Sequence, residues 1–109
     1  MWVFTNTAFV SAVAHREAPD KLMVRARLKG DFDAFFGGTV PKPEVIETPD
    51  ADYRFRAVVS RAAFERAVSV AAQAIDYPNF KGSIAHADDA RHDAYMDVWS
   101  AMYKVQGQA

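Results

Sequence analysis

The chain contains no cysteine, so no disulfide staples it and no thiolate serves as nucleophile or metal ligand. Glycine is scarce, five in 109 residues, and none falls in a phosphate-cradling or dinucleotide-binding spacing. There is no Gly-x-Ser-x-Gly elbow and no His-Glu-x-x-His pattern. Neither charge sign dominates, because 13 basic residues stand against 14 acidic ones. A generic polyanion binder is thereby excluded, and any nucleic-acid role must rest on local charge separation. No apolar run approaches the roughly 20 residues that a membrane span needs. The first residues show no basic leader followed by an apolar stretch. A soluble, cytoplasmic protein with no membrane partner and no cofactor is therefore expected.

Half of the residues are apolar and 13% are aromatic, enough material for a core. A domain of this size buries somewhat over ~60% of its unfolded surface, so one domain, residues 1–109, is expected.

Alternation and periodicity divide the chain. Residues 2–5 and 8–16 read as strands around Asn6-Thr7, and the second has two largely apolar faces, as an interior strand does. Glu17-Ala18-Pro19-Asp20 is a turn before a third strand over 21–28. Gly30 breaks that strand. A short helix over 31–36 places Phe32, Phe35 and Phe36 on one face. Residues 37–52 hold Pro41, Pro43, Pro49 and several acids, and are expected to form a flexible loop. A fourth strand spans 53–59. Ser60 caps a helix over 61–75 with Phe64, Val68, Ala71 and Ile75 in a stripe. A last helix over 89–104 carries Tyr95, Val98, Trp99 and Met102 at i, i+3, i+4 and i+7. The expected fold is α+β: an antiparallel sheet of about four strands with two main helices on one face, loosely ferredoxin-like.

Two strand-like segments carry paired arginines. Arg25 and Arg27 alternate with apolar residues, as do Arg54 and Arg56. Successive side chains of a strand point to opposite faces, so each pair is expected on one face. Guanidinium groups bind phosphate and carboxylate in a bidentate way, which makes these four residues candidates for an anion site. The competing reading is a solvated sheet face whose arginines pair with nearby acids. Base stacking would need aromatic residues on the same face, and alternation sends Tyr53 and Phe55 to the other one. Nucleic acid is therefore a less favoured partner.

Other candidates have structural competitors. His15, at the end of the second strand, and the segment around Asp76, Tyr77 and Lys81 could supply an acid, a base and an anion contact to a small catalytic pocket. Equally, His15 can bond turn backbone, while Asp76 and Asn79 cap a turn and Tyr77 fills a core edge. His86, Asp88, Asp89, His92 and Asp93 lack a second ligand cluster, and acids at a helix start are expected for dipole reasons, so no metal is assigned.

Four blocks have a collective likeness: Met1-Trp2-Val3-Phe4-Thr5, the run from His15 to Arg27, the run from Ala74 to Lys81, and the run from Tyr95 to Tyr103. Together they resemble a family of small bacterial proteins to which no function is attached. The resemblance spans most of the chain outside residues 37–52 and the tail, and it implies no activity, ligand or site residue. The leading expectation is a non-enzymatic interaction or regulatory module that self-associates, a homodimer being the simplest form. An anion or nucleic-acid binder and a small enzyme are the alternatives.

Overall fold

The structure, a computed structural model, describes residues 1–38 and 42–108. The chain forms two compact units, Met1–Ile75 and Asp76–Ala109. Of the expected loop over 37–52, residues 39–41 lie outside the described residues.

The first unit is an α+β layer. Its strands are β1 (Trp2–Phe4), β2 (Phe9–Ala14), β3 (Lys21–Ala26), β4 (Ile46–Glu47) and β5 (Phe55–Ser60), in the spatial order β1-β2-β3-β5-β4. Every neighbouring pair is antiparallel. The β1–β2 turn is closed by Thr5, whose hydroxyl accepts from the Ala8 and Thr7 amides at 2.9 and 3.3 Å. A threonine thus does locally what an Asn-Gly turn does elsewhere.

Two helices cover one face of this sheet. Helix α1 (Gly30–Phe36) buries Phe32, Phe35 and Phe36, the i, i+3, i+4 set of its sequence. Buried Asp31 turns its carboxylate to the Phe9 amide at 3.0 Å, tying α1 to the start of β2. Helix α2 (Arg61–Gln73) starts where the Ser60 hydroxyl accepts the Ala63 amide at 3.0 Å. It buries Phe64 and Ala67, with Val68 packed beside them. Ile75 lies beyond the helix end and is exposed, so the stripe read from the sequence is shorter than expected. Between helices and sheet, Val10, Val24, Ala26, Ala57 and Val59 meet Phe32, Phe36 and Phe64. Full burial of one such side chain contributes about 1.5–3 kcal/mol.

In the second unit a short 3-10 turn (Lys81–Ser83) precedes helix α3 (Asp89–Gly107). Asp88 caps α3 by accepting the Arg91 amide at 3.2 Å. Among the described residues, no helix is long and apolar enough to cross a membrane.

Candidate functional site

Register brings the arginines together. Arg25 on β3 is the direct partner of Arg56 on β5, and on its other side Arg25 is the partner of Ser11 on β2. The row continues to Trp2 on β1 and Ile46 on β4. Residues opposite one another share a face, so Trp2, Ser11, Arg25, Arg56 and Ile46 line the face away from α1 and α2. Arg27 lies just past the end of β3, yet its guanidinium joins the same group.

The meeting point is Tyr53. The guanidinium carbons of Arg25 and Arg27 lie 4.6 and 4.5 Å from the centre of its ring. Tyr53 is 5% exposed. This corrects the expectation that Tyr53 points away from the arginines. Residues 51–54 form bends, and β5 begins only at Phe55, so alternation does not extend back to Tyr53. Phe55 does face the core, opposite Ala26. The arginine face is also aromatic on its β1–β2 side. Phe9 lies 6.5 Å from Tyr53, Phe4 stacks on Phe9 at 4.4 Å, and Trp2 meets Phe9 edge-on at 6.0 Å. Alternation does put Phe9 beside Ser11 in the sequence. That this row adjoins Arg25 depends on strand pairing.

The polar partners of the trio are few and mostly neutral. Arg25 donates from Nη2 to the Ser11 hydroxyl at 2.9 Å, and Ser11 is itself buried. Arg27 donates from Nη1 to the Asp52 carbonyl at 2.8 Å. Arg56 reaches the Asp52 carboxylate at 3.4 Å, long for a charge-assisted bond. Among the described residues, the Nε atoms of Arg25 and Arg56 are buried without a hydrogen-bond partner. An unsatisfied buried donor costs about 1–3 kcal/mol.

Arg54 leaves this set. Its Nε pairs with Glu47 at 2.7 Å, and its guanidinium lies 5.8 Å from the Phe55 ring. Both partners are about half-exposed, so this pair contributes only ~0–1 kcal/mol.

His15 and the Asp76–Lys81 segment belong to different units. His15 Nδ1 accepts the Glu17 and Ala18 amides at 3.2 and 3.1 Å, closing the β2–β3 turn. Asp76 is exposed. Asn79 accepts the Gly82 amide at 2.9 Å, and Tyr77, Phe80 and Tyr95 form a run of rings spaced 5.9 and 5.7 Å apart. Lys81 places its ammonium 4.6 Å from the Trp99 ring centre. These contacts give the segment a structural role in its unit. Among the described residues, no three His, Asp or Glu side chains are grouped to hold a metal ion.

The second unit offers a different surface. Of the α3 stripe Tyr95, Val98, Trp99 and Met102, Tyr95 is buried; the other three, expected as core, are exposed. Trp99 is 50% exposed and Met102 59%, with Tyr103 and Val105 also open to solvent. Trp99 and Tyr103 stack on each other at 5.4 Å. Amphipathic periodicity reveals such a face but does not say what covers it.

Compared with protein-family models, with curated proteins and with solved structures, the chain shows no match.

Proposed function

We propose that the protein is a small interaction module that self-associates through helix α3. One observation carries this reading: Val98, Trp99, Met102, Tyr103 and Val105 stand exposed along the C-terminal half of one helix. Large apolar side chains left in water forfeit about 1.5–3 kcal/mol each relative to full burial.

Their spacing supports a helical partner. Val98, Met102 and Val105 repeat at four and three residues, the spacing of the seam along which two helices interlock. Asp93, Asp97 and Lys104 fall outside this seam and leave it uncharged. A second copy supplies an identical seam, and a twofold pairing of like surfaces closes without leaving an open end. The exposed side chains offer on the order of 500 Å² per copy, so a pair reaches about the 1,000 Å² that a specific interface requires.

Dilution tests the proposal. Sedimentation equilibrium is expected to give a dimer at micromolar concentration that dissociates on dilution. A mass that stays monomeric across the range counts against it.

A further inference from the structure

The trio on the sheet face belongs to the first unit, and α3 to the second. The guanidinium groups of Arg25 and Arg27 lie against Tyr53, and Arg56, opposite Arg25, contacts the Asp52 carboxylate. That carboxylate is 71% exposed, accepts the Tyr53 amide at 2.8 Å and reaches Arg56 only at 3.4 Å. Among the described residues, three positive charges against this one negative charge leave the group about two charges in excess. Arg25 and Arg56 are direct partners across the β3–β5 ladder, where like charges repel. Each of them retains an Nε donor without an acceptor among the described residues.

We infer that Arg25, Arg27 and Arg56, backed by Tyr53 and Ser11, bind the dianion of a phosphate monoester. The charge match favours this group, since a phosphate monoester carries about −1.5 to −2 at neutral pH, whereas a carboxylate or a phosphodiester carries one charge. A guanidinium is planar and donates along two parallel directions, which suits phosphoryl oxygens. The Tyr53 ring orients two of the three groups before any ligand arrives. Oxygens placed between Arg25 and Arg56 would relieve their repulsion. Arg54, engaged by Glu47, serves as an internal control.

The experiment is a titration of the full chain with inorganic phosphate at neutral pH and low salt, read on the arginine Nε–Hε resonances. Saturable shifts are expected at Arg25 and Arg56 but not at Arg54. In calorimetry, Arg25→Gln and Arg56→Gln should each weaken binding about tenfold or more, and Arg54→Gln less than about twofold. Acetate should bind more weakly than phosphate. A short oligothymidylate without a terminal phosphate should also bind more weakly. The wild-type resonances keep the test decisive if a glutamine variant does not fold. Absence of saturable phosphate binding, acetate binding as tight as phosphate, equal loss in Arg54→Gln, or preference for the oligothymidylate would each overturn the inference. None of these outcomes bears on the dimer of α3, because the two readouts are separate.

Discussion

Arg25 and Arg56 stand directly opposite each other on the β3–β5 ladder, and Arg25 rests against the ring of Tyr53, 4.6 Å from its centre. Two like charges in register destabilise a sheet unless neighbours compensate. Here a serine hydroxyl, a tyrosine ring and one exposed carboxylate share that task.

Tyr53 is therefore expected to matter as a ring rather than as a phenol. Tyr53→Ala should cost about 3–5 kcal/mol, the range for removing a buried aromatic side chain. Tyr53→Phe keeps the ring and should cost under about 1.5 kcal/mol. Urea unfolding measures both. Equal losses in the two variants would show that the stacked guanidinium groups do not depend on the ring.

Phe36 anchors α1 on the sheet with no surface exposed. It lies edge-on to Phe35 at 5.0 Å and stacks with Phe32 at 6.2 Å. Phe36→Ala should lower stability by about 3–5 kcal/mol. Ser60→Ala, which removes the α2 cap, should lower it by about 1 kcal/mol. The order of the two effects in denaturant titrations tests whether the core or the cap dominates in the first unit.

The start of α3 should respond to acid. The Asp88 carboxylate accepts from the Arg91 side chain at 2.8 Å and from its amide, and these bonds hold its pKa below the ordinary aspartate value. A carboxyl with a depressed folded-state pKa contributes stability that is present above its unfolded value and is lost as pH falls through the folded one. Helicity measured by circular dichroism should therefore fall on acidification below the usual carboxylate range. Asp88→Asn keeps a capping oxygen but carries no charge, so its acid transition should be weaker. Identical acid profiles for wild type and variant would refute this role for Asp88.

Much of the architecture is legible along the chain, and the departures have local causes. Phe32, Phe35 and Phe36 announce the buried face of α1 because helical spacing is an intrachain property. The alternation of β3 separates Val24 and Ala26 from Arg25 for the same reason. The two-residue strand β4 is too short to carry a pattern, and it forms because Ile46 and Glu47 pair with Arg56 and Phe55. Arg54 and Tyr53 escape alternation because they precede the regular part of β5. Ser11 could not be recognised as a partner of Arg25 without the β2–β3 register. For α3 the stripe of Tyr95, Val98, Trp99 and Met102 is plain in the sequence, but periodicity is the same whether a face meets its own core or another molecule.

The proposed association through α3 is tested most directly by sedimentation of the wild type beside two glutamate variants. Met102→Glu places a charge in the centre of the exposed α3 face, while Val70→Glu changes a comparably open valine on α2. Wild type and Val70→Glu should sediment as dimers at micromolar concentration, and Met102→Glu should be shifted to monomer by at least about tenfold in dissociation constant. A wild type that is monomeric throughout, or a Met102→Glu variant that dimerises as tightly as wild type, would contradict the account.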